Sequence, residues 1–244
     1  MSLQPLKTQG FAQDIYSESG TPLEAIGTMR ILSDGRAFAY ARAGAVALAA
    51  GKVTQTAIPS ATANDEIVAA NAAVGDNNIS VTFGGAVTEN FYKDGYLWVN
   101  DDTGEGHLYR VAGHAAGTTA VVVYLKDAIR KAVTAGAGTV SVVEQPQDLV
   151  LVYPTTGTGA PAGIPPIDVK ANYYFWNQVK GPCPVLTDGT LVIGQHVRVS
   201  DGTAGAVEPL DRDGTAEDEA SIGTVLAVNA STEYSLIMLA IEGY

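Results

Sequence analysis

Along most of the chain apolar and polar residues alternate with a period of two, the pattern of half-buried β-strands. The clearest stretch runs from Thr28 to Arg42 around Asp34-Gly35. That dipeptide favours a two-residue type I′ turn, because Gly accepts positive φ and Asp tolerates it. Such a turn pairs Ser33 with Arg36, Ile31 with Phe38 and Met29 with Tyr40. Those side chains and Arg42 then share one face, and Ala37, Ala39 and Ala41 lie on the other with Arg30 and Leu32.

Further strands follow. Ile79, Val81 and Phe83 alternate with polar residues. Tyr96–Val99 and His107–Val111 flank the turn-rich run 100–106, which predicts a second hairpin. Residues 120–125 are rich in β-branched side chains. Leu125, Ile129 and Val133 recur at helical spacing and allow one short helix. Residues 155–166 carry repeated Gly and Pro and read as a linker, since Pro cannot serve a central strand. Beyond it, 173–180 reads as a strand, 195–199 as another between two Asp-Gly turns, and 222–228 with 233–241 as a closing pair. The expected fold is all-β: an N-terminal hairpin arm over 1–50, a first β domain over 51–155, a linker over 156–168 and a C-terminal β barrel or sandwich over 169–244.

Composition narrows the partners. Charged residues are 16% of the 244, below the usual quarter, while hydrophobic residues are 46%. A lightly charged surface suits extended protein contacts, whose centres are depleted of charge. The net charge of −12 opposes nucleic acid, which needs cations to neutralise phosphates, and opposes anionic membrane. No apolar run is long enough for a transmembrane helix, and residues 1–20 lack the pattern of a signal peptide. Cys183 is the one cysteine, so no intrachain disulfide forms, and a buried apolar role is expected for it.

Candidate chemistry is sparse. No serine lies in a Gly-x-Ser-x-Gly elbow, and His107, His114 and His196 stand in no metal-ligand spacing. Glycines 157, 159 and 163 miss the dinucleotide spacing and lie in the linker. Asp211, Asp213 and Gly214 imitate part of an EF-hand, but Pro209 and Ala220 fall where ligands are needed. The acidic run from Glu208 to Glu219 therefore reads as a solvated loop. No cofactor, required metal or catalytic residue is expected. The candidate partner-binding residues are Met29, Arg30, Ile31, Arg36, Phe38, Tyr40 and Arg42. Three of the 14 basic residues fall there beside aromatic and aliphatic side chains, and Arg and Tyr are enriched at interface hot spots. The same apolar face could instead pack on the chain's own core.

Several strings carry a resemblance. They are Lys93-Asp94-Gly95-Tyr96-Leu97-Trp98-Val99-Asn100 leading into Thr103–Arg110, Tyr173-Tyr174-Phe175-Trp176 leading into Gly181-Pro182-Cys183, the run 188–195 continuing to 200–207, and Ile222–Val228. From about residue 79 onward the chain resembles the capsid decoration, or cement, proteins of tailed bacteriophages and related virion structural proteins. The resemblance implies a non-enzymatic protein, made in the host cytoplasm, on the outer surface of a virion capsid. It further implies a homo-oligomer, often a trimer, that binds and locks the major capsid protein lattice. Alternatives are a tail, neck or fibre-attachment protein, or a carbohydrate-binding module with Tyr173, Tyr174, Phe175 and Trp176 as its platform. Alternate burial of that aromatic run as core is the simpler reading.

Overall fold

The computed structural model describes residues 10–210 and 220–241. The acidic residues 211–219 of the EF-hand-like run lie outside the described residues. In chain order the strands are β1 (Met29–Ile31), β2 (Ala37–Arg42), β3 (Thr54–Gln55), β4 (Glu66–Val68), β5 (Asn78–Thr82), β6 (Tyr96–Asp101), β7 (Leu108–His114) and β8 (Val121–Leu125). They continue with β9 (Thr139–Val143), β10 (Leu151–Val152), β11 (Pro161–Gly163), β12 (Tyr174–Leu186), β13 (His196–Val199), β14 (Val207–Pro209), β15 (Gly223–Ala227) and β16 (Tyr234–Ala240). Among the described residues one short 3₁₀ turn, Ala61–Ala63, accompanies them, and the fold is all-β.

The chain divides into two compact units, one of residues 1–56 with 149–244 and one of residues 57–148. The second unit is thus an insertion in the first. It is a closed barrel of order β4-β5-β8-β7-β6-β9, every ladder antiparallel. Alternation puts Ile79, Val81, Leu97, Val99, Tyr109, Val111, Val123, Val140 and Val142 inside. Fully burying each side chain of this size contributes about 1.5–3 kcal/mol. The expected helical spacing of Leu125, Ile129 and Val133 does not make a helix. Ile129 N–H instead donates to Asp76 O and Ile129 O accepts from Gly75 N–H, Val133 exchanges backbone hydrogen bonds with Ala72, and both side chains enter the barrel core. Two apolar residues four apart satisfy extended pairing as readily as a helix face.

The first unit holds a seven-stranded sheet of order β1-β2-β12-β16-β15-β13-β14 and a small sheet of order β10-β3-β11. Residues 161–163 of the expected linker therefore form a strand, paired with β3. The N-terminal hairpin is built into the large sheet, β2 lying hydrogen-bonded along Tyr174–Lys180 of β12.

The register of that hairpin differs from the expected one. Met29 pairs with Ala39, Arg30 with Phe38 and Ile31 with Ala37. The loop has three residues, Ser33-Asp34-Gly35: Leu32 N–H donates to Arg36 O, Gly35 N–H donates to Leu32 O, and Gly35 takes φ 86°. A type I turn closed by a left-handed glycine is the usual three-residue solution. Asp34 Oδ1 secures it by accepting from Arg36 N–H at 3.0 Å. A slip of one residue moves every side chain of a strand to the opposite face. Phe38, Tyr40, Arg42 and Arg30 therefore share a face, and Met29 and Ile31 lie on the other with Ala37 and Ala39.

A candidate docking face on the large sheet

Seven residues were expected to bind a partner, and the structure separates them. Phe38 and Tyr40 are fully buried against Ile15 and Trp176. Gln13, itself buried, ties this cluster together. Its Oε1 accepts from Tyr40 Oη at 2.6 Å, and its backbone O accepts from Trp176 Nε1 at 3.0 Å and from Arg30 Nη1 at 2.9 Å. The Arg30 guanidinium lies 5.0 Å from the Phe11 ring and 5.7 Å from that of Trp176, and Arg42 sits 5.9 Å from the Tyr174 ring. Arg36 pairs with Asp34 at 2.8 Å and donates to Tyr16 Oη at 3.3 Å. This pairing holds the Asp34 carboxyl below the usual carboxylate range through hydrogen bonds from Arg36. Burial pushes the Tyr40 hydroxyl up. Met29 and Ile31 remain outside, Ile31 at 74% exposure. The aromatic run is not buried alternately: its adjacent residues Phe175 and Trp176 are fully buried, in separate clusters, and Tyr173 and Tyr174 are half-buried.

The exposed apolar surface lies elsewhere, on residues that alternation along one strand did not single out. Beyond a bulge at Gln178–Lys180, β12 leaves β2 and pairs with β16. Pro182 lies opposite Met238, Pro184 opposite Leu236 and Leu186 opposite Tyr234. Met238 in turn lies opposite Thr224 of β15, and Leu236 opposite Ala227, with Leu226 bulged out beside it. Tyr234, Leu236, Met238 and Leu226 are all exposed, while Ile237, Leu239, Cys183 and Val185 face the core. An antiparallel sheet with one wet face ordinarily alternates apolar-in with polar-out. Here three adjacent strands are apolar on both faces.

The borders of this surface are polar. Lys180 lies opposite Ala240 at one end. His196 lies opposite Thr224 on the far side, its Nδ1 3.1 Å from Ser221 Oγ. Past it, Arg198 pairs with Asp201 at 3.0 Å and with Glu208 at 2.5 Å. No carboxylate stands on β12, β15 or β16 themselves, in a chain of net charge −12. An uncharged centre with a charged rim is the anatomy of a protein–protein interface, and contiguous exposed apolar patches beyond about 300–600 Å² mark interaction sites.

Beside this face, within the same unit, a cleft of about 420 Å³ opens among Tyr16, Arg36, Asp168, Gln178, Pro184 and Tyr234. Cys183 lines it too, but burial pushes its thiol up to about 12, which leaves it protonated and unreactive near neutrality. Among the described residues no three His, Cys, Asp or Glu side chains converge as a metal site. Among the described residues no helix is long and apolar enough to cross a membrane. Comparison with family models, with characterised proteins and with solved structures finds no match to this chain.

Proposed function

We propose that this chain is a non-enzymatic structural protein that decorates and stabilises a phage capsid, and that it docks on the major capsid protein lattice through the outer face of β12, β16 and β15. The observation that carries the docking surface is the uncharged, exposed apolar face on three adjacent strands. A protein lattice is the partner that such a face suits, because removing apolar side chains from water drives association and no fixed charge has to be desolvated. The choice of a capsid rests on the sequence resemblance to cement proteins. A closed homo-oligomer, a trimer by that resemblance, brings several copies of the face to one lattice and multiplies weak contacts.

The test is co-sedimentation with undecorated shells assembled from the major capsid protein encoded in the same genome. The full-length protein is expected to sediment with the shells to saturation and to raise their thermal stability. Shells that leave it in the supernatant contradict the reading. Light scattering that finds only monomer at micromolar concentration contradicts the oligomer.

A further inference from the structure

The cleft beside the docking face has its own chemistry. Beyond Lys180 no ladder strand follows β2 on the side of β12 away from β16, and Leu186 N–H there donates to Gly51 O. Backbone groups of alternate residues on a strand point to the same side. Pro182 and Pro184 therefore turn their backbones toward the same edge, and neither has an N–H to offer there. An added peptide strand would find acceptors and no donors, so the prolines close this edge to β-augmentation.

The acceptors themselves remain. Pro182 O accepts from Gln178 Nε2 at 2.9 Å, while Pro184 O has only the Cys183 thiol, at 3.6 Å. Gln178 is 2% exposed, and its Nε2 also donates to Lys180 O at 3.2 Å and Gly181 O at 3.4 Å. Three carbonyls around one end of the amide fix its orientation, and among the described residues none donates to Oε1. Asp168 Oδ1 accepts from Ala50 N–H at 2.9 Å, and among the described residues its second oxygen has no donor. The cleft thus gathers three acceptors without a strong protein donor: Gln178 Oε1, Pro184 O and one Asp168 oxygen. Tyr16 and Tyr234, both largely exposed, add phenol rings at its rim, and the proline rings add apolar walls.

Charge selects further. An anion is opposed by the Asp168 carboxylate and the net charge of −12, since Arg36 is already paired with Asp34, and a cation finds Asp168 as the only carboxylate among the lining residues. A neutral ligand with several hydroxyl donors and one apolar face meets neither obstacle. We infer that the cleft is a saccharide-binding site, taking a neutral hexopyranose unit whose hydroxyls donate to Gln178, Asp168 and Pro184 while its C–H face lies on Tyr16 or Tyr234. The volume falls within the roughly 300–1,000 Å³ of small-molecule pockets. Pro182, Pro184 and Tyr234 also belong to the docking face, so the test uses the free protein and its outcome is independent of capsid binding.

The experiment is a two-dimensional NMR titration of the full chain with the methyl glycosides of glucose, galactose, mannose and N-acetylglucosamine, and with their disaccharides. At least one saccharide is expected to give saturable shifts confined to Ala50, Gly51, the Gln178 side-chain amide and Tyr234, with Kd on the order of 1 mM. Tyr16→Ala with Tyr234→Ala is expected to weaken it roughly tenfold or more, because it removes both rings on which the C–H face can lie. Ala50→Tyr, which fills the cleft and removes no hydrogen bond, is expected to abolish the shifts while leaving the rest of the spectrum in place. Absence of saturable shifts with every saccharide overturns the inference. So do shifts that survive both variants, or a hexaproline peptide that saturates the same cleft more tightly than any saccharide.

Discussion

The two units solve the same problem differently. The barrel closes its sheet on itself, so none of its six strands has a free edge along its full length, and one shared core takes the inward side chains. Its outer surface mixes Asn78, Ser80, Asn100 and Arg110 with Tyr96, Trp98 and Leu108. The large sheet stays open, covers one end of its aromatic face with residues 11–15, and leaves β12, β16 and β15 apolar toward solvent. The barrel also exposes Ile67, Leu108 and Tyr124, among polar neighbours such as Asn78 and Arg110, whereas on the sheet Leu226, Tyr234, Leu236 and Met238 adjoin one another. An apolar surface beyond what the fold consumes is the part of the molecule available to a partner.

The largest expected effect breaks that contrast directly. Leu236→Lys with Met238→Lys places charge on exposed positions and is expected to weaken shell binding roughly 100-fold or more, as hot-spot changes of about 2–4 kcal/mol do. Leu108→Lys with Tyr124→Lys, on exposed barrel positions, is expected to leave sedimentation unchanged. Equal losses from both pairs would erase the difference between the units.

Stability sharpens the comparison next. Trp176→Ala is expected to cost the first unit about 3–5 kcal/mol, and Ile79→Ala to cost the barrel about 2–5 kcal/mol. Calorimetry is expected to show each variant lowering a different transition, and residues 57–148 alone are expected to unfold cooperatively. Gly35→Ala comes third: forcing a Cβ into φ 86° is expected to cost about 1–2 kcal/mol, read as a lower midpoint for the first unit only.

The smallest effects have opposite signs in the two units. In the barrel, burial raises the Glu144 carboxyl. A raised folded-state pKa means stability that is complete at low pH and lost as pH rises through it. Glu144→Gln is therefore expected to raise the melting temperature at pH 7, the gain fading below about pH 4. In the sheet unit, hydrogen bonds from Ser200 and Thr203 lower the Asp188 carboxyl, Ser200 Oγ donating at 2.6 Å. A lowered pKa gives stability that is present above the unfolded-state value and lost as pH falls through the folded one. Asp188→Asn is expected to lower the melting temperature at pH 7, the loss fading in acid.

Strand identity was legible because it depends on local alternation. The second hairpin around residues 100–106, the closing pair and the strand at 195–199 follow from it. Register was less legible. Asp34-Gly35 supports either a two- or a three-residue loop, and Arg36 N–H on Asp34 Oδ1 favours the longer one. That single residue decided whether Phe38 and Tyr40 faced a partner or their own core. The strand read over 173–180 in fact runs on through Pro182 and Pro184 to Leu186. They are tolerated because both face an edge where no donor is needed. The docking face did leave a trace in Tyr234-Ser235-Leu236-Ile237-Met238-Leu239-Ala240, apolar in both phases of the alternation. The cleft left none, since Tyr16, Arg36, Asp168, Gln178 and Tyr234 meet only through the sheet's long-range pairing.

Electron cryomicroscopy of decorated shells measures the central proposal most directly. Density is expected in which β12, β16 and β15 lie against the major capsid protein, with Leu236 and Met238 at the contact. Density that seats the barrel on the shell and leaves Leu236 and Met238 in solvent, or shells that stay bare at saturating protein, would contradict it.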